Sequence, residues 1–309
     1  MAAIGFSELI LLVFGLGGFG IPVGIPPAPE DPLLARIAPA ECLFYTSWAG
    51  MAEPDPQSTN QAELMLAEPE VRKFLAEVER QVRAGIQRSV EGEGPQHQAL
   101  ADDAVLWTKT LLTHPVAAFV ESVKMQPGGP AVRGGLVVNL GNEAGAVKAS
   151  LERQQKAFLE EQKLVEPVQV EKETWQRLRL GPGAPPIVWG IKGKYLIVAV
   201  GPSTEAVAAL GQGKALAERP EWKRLDPIAG KPITSLSYMT GATAERVRTN
   251  QANVDAVRQA AGELLPLAKL SEEQEKRIGK DLQALADDFA GLLPDLGPVV
   301  SASYLVPQG

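Results

Sequence analysis

The chain has 309 residues, of which 45% are hydrophobic and 22% are charged, and its formal net charge at pH 7 is −7. This length allows one large domain or two ordinary ones, and this composition is that of a globular protein rather than a long disordered chain. The acidic balance and the lack of any basic run argue against nucleic acid as a partner, because phosphate neutralisation needs an excess of Lys and Arg on some face.

The residues that most often build reactive or metal sites are scarce. The single cysteine, Cys42, excludes an intrachain disulfide framework and a cysteine metal site, and we expect it to be a small buried hydrophobic residue. The two histidines, His97 and His114, leave little material for a zinc site or a histidine-based triad. We therefore assign no catalytic, cofactor-binding or metal-binding residue from the sequence.

Residues 4–21 form an apolar segment that ends at Pro22. As a helix this segment spans about 27 Å, just short of a hydrocarbon core of about 30 Å. Its Leu, Ile, Val and Phe residues favour insertion by about 3 to 6 kcal/mol, and Glu8 opposes insertion by up to about 3 kcal/mol. We predict a membrane-anchor helix over residues 1–21, with a cleaved or merely buried segment as the alternatives.

The run from Ile4 to Gly15 resembles the first helix of the small subunits of the twin-arginine protein translocase. In that family a short membrane helix carries an early acidic residue and ends at a Phe-Gly hinge. The resemblance implies a role in protein translocation, and the alternative is a plain anchor under similar membrane constraints. In either case we assign membrane anchoring to one set of residues: Phe6, Glu8, Leu11, Phe14 and Gly15.

Gly15, Gly17 and Gly20 also match the spacing of the dinucleotide-binding fingerprint. That fingerprint needs a helix that opens at the glycines and receives the pyrophosphate. Prolines follow instead from Pro22 onwards and prevent such a helix. We therefore predict no nucleotide cofactor.

Residues 22–40 are rich in proline, which biases each preceding residue towards extended conformations. We predict a stiff linker here, followed by a globular region over residues 41–309. Arg36 is the only cation near the apolar segment, so the positive-inside rule leaves the orientation open. We expect the globular region to lie outside the cytoplasm.

The first half of the globular region alternates short strands with amphipathic helices. A strand is expected at Leu43–Trp48 and a helix from Pro69 onwards, and the second helix is expected over Leu100–Thr113. The first helix has an apolar stripe that must pack against something, and its opposite face mixes charges and is expected to be solvated. The stripe consists of Val71, Phe74, Leu75, Val78, Val82 and Ile86.

Hairpins dominate the middle of the chain. Strands are predicted at 116–125, 131–140, 165–171 and 175–180, and a helix capped by Asn142 is predicted to run to about Lys163. The clearest pattern is a hairpin over residues 187–200 with its turn at Lys192-Gly193. A short helix capped by Ser203 is expected to follow.

The last third of the chain repeats earlier patterns. Residues 216–225 resemble 66–75, and the strand at 233–239 resembles the strand at 299–305. These similarities suggest two degenerate repeats with a boundary near residue 230, and helices are expected at 243–268 and 271–289 between the two strands. The chain stops on a strand, so we expect Gly309 to truncate a longer protein.

This order of elements is similar to an uncharacterised group of bacterial envelope proteins that is defined only as a domain of unknown function. The resemblance covers about residues 40–309 and rests on strands that end in an aromatic residue and on the hairpin with an apolar second strand. It implies an α+β globule that is exported or membrane-tethered, with no known chemistry. The predicted fold is therefore α+β, a largely antiparallel sheet with hairpins packed against amphipathic helices, preceded by one N-terminal apolar helix.

Acidic pairs and tryptophans are the remaining candidates for a functional site. Adjacent carboxylates on a helix point about 100° apart, so we expect Asp102-Asp103 and Asp287-Asp288 to be solvated. Among the five tryptophans, Trp175 and Trp189 are the better candidates for an exposed binding patch.

The sequence as a whole favours a membrane-tethered, noncatalytic scaffold or interaction protein, with the membrane and another protein as partners. The alternatives are an enzyme with a site built from Asp, Glu, Ser or Tyr without a readable motif, and a translocation-associated protein that acts through its N-terminal helix. A deep pocket that gathers two or more carboxylates favours the enzyme, and a broad flat sheet face with exposed aromatic side chains favours the interaction protein.

Overall fold

The computed structural model describes residues 25–29, 31–89, 95–126, 129–158, 164–170, 172–179, 185–201, 214–244, 273–274, 277–278, 280–281 and 297–306. The chain divides into two compact units, the first formed by residues 1–237 with 301–309 and the second by residues 238–300. In the second unit the described helical residues are 241–244 and three pairs between 273 and 281. The rest of the helices predicted at 243–268 and 271–289 lies outside the described residues.

A nine-stranded sheet contains the described strands in the order β4-β5-β6-β7-β3-β2-β1-β8-β9. From β4 to β1 each strand pairs with its neighbour in antiparallel fashion, which is the arrangement that short hairpin connections produce. The strands are β1 (Phe44–Trp48), β2 (Val116–Gln126), β3 (Gly129–Asn139), β4 (Val165–Val170), β5 (Glu173–Leu178), β6 (Ile187–Lys192), β7 (Tyr195–Val200), β8 (Ile233–Met239) and β9 (Val299–Tyr304).

The helices of the first unit begin at the residues that usually cap or open a helix. Asp31 accepts a hydrogen bond from the Leu33 amide at 3.0 Å, and Asn60 accepts one from the Glu63 amide at 3.0 Å. The helices are α1 (Pro32–Ile37), α2 (Gln61–Ala67), α3 (Pro69–Ser89), α4 (Pro95–Thr113) and α5 (Ala144–Phe158), with 3₁₀ turns at Gly141–Glu143, Leu216–Glu218 and Pro220–Ile228.

One hydrophobic core lies between the central strands and the helices α4 and α5. Alternate residues of β2 and β3 face these helices, and Val116, Val138 and Val147 are among its most deeply buried side chains. The Trp107 indole packs against this cluster and donates a hydrogen bond to the Ser150 hydroxyl at 3.0 Å. The cluster consists of Leu111, Val116, Ala118, Leu136, Val138, Leu140, Val147 and Leu196.

The hairpin β6–β7 occurs as predicted, but its two-residue turn is Gly193-Lys194, one residue later than the predicted Lys192-Gly193. Gly193 has a φ of +60°, a conformation that residues with a Cβ adopt only at a cost. One strand earlier in the sheet, the ring of Trp175 lies against Gly190, where an added Cβ would be 2.4 Å from the indole. Trp175 is therefore buried against the sheet, and the prediction that it forms part of an exposed patch is wrong.

The α+β class and the largely antiparallel sheet are confirmed. The predicted strands near 43–48, 116–140, 165–180, 187–200, 233–239 and 299–305 all occur, within a few residues of their expected ends. The second helix begins at Pro95, five residues before the predicted start, because proline is well suited to the first turn of a helix. The apolar helix predicted over residues 1–21 and the helix predicted after Ser203 lie outside the described residues.

The stretch predicted to be a linker contains folded structure. Residues 32–37 form α1, and its Leu34 and Ile37 are buried. Pro39 and Ala215 form an isolated β-bridge. The linker prediction for residues 22–40 is therefore wrong over its second half, because proline also opens helices and the apolar residues between the prolines reach the core.

Candidate functional site

A cleft of about 260 Å³ opens in the first unit between β1, β8, α1 and the 3₁₀ helix Pro220–Ile228. Three aromatic residues line it, namely Tyr45, Trp48 and Trp222. The polar groups that line the cleft come from all four elements, namely Asp31, Ser47, Asp226, Thr234 and Ser235. An apolar wall with a few polar groups is the usual composition of a small-molecule site, although this volume is small for one.

Contacts of Tyr45, Trp222 and the neighbouring Arg219 fix the aromatic lining of the cleft. Tyr45 is buried, and its ring meets the ring of Trp222 edge to face, with centroids 5.9 Å apart and an interplanar angle of 68°. The Arg219 guanidinium fixes the start of the 3₁₀ helix, since it donates to the Ala40 carbonyl at 3.0 Å and pairs with Glu221 at 3.2 Å. A hydrogen bond from its own backbone amide, and then Arg219, lower the pKa of Glu221.

Asp31 lines the cleft and connects three elements. One carboxylate oxygen caps α1, and the other accepts hydrogen bonds from the Asn139 amide at 2.7 Å and from the Tyr195 hydroxyl at 2.9 Å. The Asn139 side-chain oxygen in turn accepts from the Gly141 amide at 3.0 Å. Burial, together with the nearby Asp31 carboxylate, raises the pKa of Tyr195 to about 12.

The two carboxylates of the cleft have different environments. Asp31 already accepts three hydrogen bonds out of the roughly four that a carboxylate can take, so it is suited to hold structure. Asp226 is exposed on the 3₁₀ helix. The arrangement suits the binding of a small partly apolar group with a polar end better than it suits acid–base chemistry, which needs a group poised to exchange its proton.

The predicted stripe of α3 is not buried along its whole length. Phe74, Leu75 and Val78 are 65%, 46% and 42% exposed, and these three residues are called the α3 ridge below. The nearby helix α2 adds Met65, which is 52% exposed, and Leu64. The prediction that the stripe packs into the protein is therefore wrong for the ridge. Contiguous exposed apolar side chains of this kind mark contact surfaces.

The beginning of the described chain lies beside the start of α3. The Ala52 amide donates to the Pro26 carbonyl at 2.8 Å, and the Ala28 amide donates to the Gly50 carbonyl at 3.2 Å. The next residue, Glu53, pairs with Arg72 of α3 at 3.1 Å. The described chain therefore begins against residues 50–52, next to the residue that pairs with Arg72.

One predicted surface residue is buried. Asp103 of α4 is 1% exposed and forms an ion pair with Arg153 of α5, whose Nε donates to the carboxylate at 3.2 Å. The ion pair raises the pKa of Arg153. The prediction that both members of the pair Asp102-Asp103 are solvated is therefore wrong for Asp103, although Asp102 is exposed.

The other candidates from the sequence take plain structural roles. Cys42 is buried as expected, and burial raises the pKa of its thiol to about 12. The His114 ring accepts from or donates to the Thr113 hydroxyl at 2.9 Å just after α4. Trp189 is half-buried in β6. The side chain of His97 lies outside the described residues.

The membrane-anchor residues Phe6, Glu8, Leu11, Phe14 and Gly15 all lie outside the described residues, so anchoring and a translocation role stay predictions. Among the helices that the structure does describe, none is long and apolar enough to cross a bilayer. No group of three or more metal-ligating side chains was found in the same described part of the chain.

Sequence reasoning missed the cleft. Its lining comes from residues 31–49, Pro115 and 222–236, which only the folding of the sheet brings together. The one local signal was the run Pro220–Ile228, which contains Trp222, Asp226 and two prolines. Comparison with known proteins gave no matching family model, no matching curated protein and no matching solved structure.

Proposed function

We propose that this chain is a membrane-tethered, noncatalytic interaction protein whose contact surface is the α3 ridge. The observation that supports the proposal is the exposure of Phe74, Leu75 and Val78 on one side of a regular 21-residue helix. Full burial of one such side chain would stabilise the fold by about 1.5 to 3 kcal/mol, and an exposed side chain loses this contribution. The exposed side chains contribute little to the stability of the fold itself. We therefore attribute their exposure to a contact with a partner outside the first unit.

The tether is the apolar segment 4–21, as the sequence predicts. The chain emerges from that segment beside α3, so the tether and the contact surface belong to neighbouring parts of the first unit. The two features together describe a scaffold that is held at a membrane and presents one helix.

Photo-crosslinking in cells tests the contact surface. The full chain carries a photoreactive residue either in place of Phe74 or in place of Arg80, which lies about 120° further round the same helix. Both positions are exposed, so neither replacement disturbs a buried contact. We expect irradiation to give a covalent adduct, with protein or lipid, from position 74 and little from position 80. Equal yields at the two positions, or none at either, would contradict the proposal.

A second candidate function is an enzyme or small-molecule receptor that uses the cleft. This function is favoured because Asp31, Asp226 and three aromatic side chains line the same cavity. A ligand of the cleft should raise the midpoint of thermal unfolding and change the fluorescence of Trp48 and Trp222. Asp226→Asn should weaken that effect without lowering the stability of the free protein, because Asp226 is exposed and only its backbone carbonyl accepts a described hydrogen bond.

A further inference from the structure

We propose that the α3 ridge lies on the anionic lipid surface of the membrane that anchors the chain. This inference rests on the proposed function, since it names the partner of the same surface. Three observations support it: the distribution of charge on α3, the placement of the cations around the ridge, and the path of the chain from the apolar segment to α3.

The charge of α3 has the opposite sign to that of the whole chain. The helix carries five cations against three acidic residues, whereas the chain has a net charge of −7. The cations are Arg72, Lys73, Arg80, Arg83 and Arg88, and the acidic residues are Glu70, Glu77 and Glu79. An anionic bilayer attracts this helix and repels the rest of the chain, so the field turns α3 towards the membrane.

The cations lie on the polar side of α3, away from the ridge. At 100° per residue, Arg72 and Arg83 lie about 110° and 130° from the midline of the ridge. Arg72 is paired with Glu53 at 3.1 Å, and Arg83 is paired at 3.6 Å with Glu79, which lies about 90° from that midline. Their aliphatic stems can lie along the bilayer boundary while the guanidinium groups reach the lipid phosphates. No acidic residue stands between Phe74, Leu75 and Val78 on the face that they share. A narrow apolar face with a strongly charged opposite face is typical of helices that lie in the membrane interface rather than cross it.

The path of the chain places α3 close to the membrane. The apolar segment ends at Pro22, and the four residues from there to Pro26 span at most about 14 Å. Pro26 is hydrogen-bonded to Ala52, and the adjacent Glu53 is paired with Arg72 at 3.1 Å. An anchored segment 4–21 therefore holds the beginning of α3 within a short distance of the bilayer surface. A soluble protein partner could bind α3 at any distance from the bilayer, so a position close to the bilayer favours lipid as the partner.

Site-specific fluorescence on the full chain tests the inference. Cys42 is fully buried, so an environment-sensitive thiol dye reports on a single introduced cysteine. The two matched variants are Leu75→Cys on the ridge and Arg80→Cys, which lies about 140° round the helix. Each labelled chain is reconstituted into vesicles of phosphatidylcholine with or without phosphatidylglycerol, and half of the preparations contain a lipid that carries a quencher. Co-sedimentation with the vesicles is measured in parallel.

We expect the emission of the label at position 75 to shift to the blue on phosphatidylglycerol vesicles and to be quenched by the lipid quencher. The label at position 80 should show neither effect. Neutralising one flanking cation by Arg83→Gln should lower the ratio of quenched to unquenched label by about fivefold, since each such charge contributes about that factor at an anionic surface. Raised salt should act in the same direction.

Other occupants of the ridge give different results, and each would overturn the inference. A blue shift at position 75 without vesicles that grows with protein concentration would assign the ridge to a second copy of the chain. A blue shift without vesicles that is independent of concentration would assign it to the segment 4–21 folded back on α3. If the chain co-sediments with the vesicles while the label at position 75 still emits as it does in water, the tether stands and the proposed lipid contact of the ridge is wrong. A chain that stays in solution would contradict the tether as well.

Discussion

At the scale of single residues, the Asp31 carboxylate links three elements beside the cleft. It caps α1 and accepts hydrogen bonds from side chains at the ends of β3 and β7, so one carboxylate connects a helix to two strands. Hydrogen bonds to a charged acceptor contribute more than neutral ones, typically about 1.5 to 3 kcal/mol each. The donors Asn139 and Tyr195 should therefore matter for the stability of the fold more than for any chemistry.

Tyr195→Phe removes one of these donors, and we expect the free energy of unfolding to fall by about 1.5 kcal/mol at pH 7. The pKa of Tyr195 is raised to about 12 in the folded protein from an ordinary value of 10.0. Its contribution is therefore fully present below pH 10 and is lost as the pH rises towards 12. Urea unfolding of both proteins at pH 7, 10 and 11.5 measures this. A difference that stays constant or widens above pH 10 would show that the phenol does not donate to Asp31.

Cys42 offers a second test at this scale. Burial raises the pKa of its thiol to about 12, and thiolate is the reactive form, so we expect no labelling by a maleimide in the native protein over several hours at pH 7.5. Complete labelling should occur in 6 M guanidinium chloride. Rapid stoichiometric labelling under native conditions would mean that the segment before β1 opens readily and exposes Cys42.

At the scale of elements, the pair α4–α5 depends on one buried charge. Asp103 is almost completely buried, whereas the side chain of its partner Arg153 is half exposed. Removing the cation leaves a carboxylate without its charged donor inside the protein, which costs more than the loss of a surface pair. The ion pair between Glu77 and Arg80 on the exposed side of α3 provides the comparison.

Arg153→Met should lower the free energy of unfolding by about 2 to 3 kcal/mol, because the Asp103 carboxylate loses both bonds of its guanidinium partner. Arg80→Met should leave the stability unchanged, since water replaces the lost contact. Chemical denaturation of the wild type and the two variants gives both values. Similar small effects for the two variants would mean that water reaches Asp103 as freely as it reaches Glu77.

Glycine substitutions test the packing of β5 on β6. Gly190→Ala places a methyl group 2.4 Å from the Trp175 ring, and we expect the overpacking to cost about 1 to 3 kcal/mol. Gly85→Ala in the interior of α3 meets no atom within 4 Å, and it should stabilise the protein by about 0.5 to 1 kcal/mol through helix propensity. Thermal unfolding measures both, and opposite signs are the expected result. A neutral Gly190→Ala would contradict the position of Trp175.

The elements themselves could be predicted well, but their partners could not. Runs rich in β-branched and aromatic residues, together with turn residues, identified β1, the long hairpin β2–β3 and the hairpin β6–β7, because such side chains suit a strand. The stripe on α3 has the correct period as well, yet the period of a helix does not reveal what the stripe contacts. For the same reason Asp103 appeared to be a surface residue, since its partner Arg153 lies 50 residues further along the chain.

At the scale of the whole molecule, charge and hydrophobicity are divided unequally. A chain with a net charge of −7 carries a cationic helix with an exposed apolar ridge, and its first residues are its most apolar run. In an aqueous compartment the exposed ridge and the apolar run would both be liabilities for solubility. At a membrane, insertion of the apolar run, contact of the ridge with the interface and hydration of the acidic remainder would all be favourable.

Membrane attachment of the full chain is the central claim, and carbonate extraction of isolated membranes measures it most directly. Insertion of residues 4–21 is favoured only narrowly, so one charge in its middle, Leu11→Arg, which costs about 3 kcal/mol, should reverse the balance. We predict that the unaltered chain stays with the membrane pellet and that the Leu11→Arg variant moves to the soluble fraction with its globular region folded. An unaltered chain that appears in the soluble fraction, or a variant that stays in the pellet, would contradict the account.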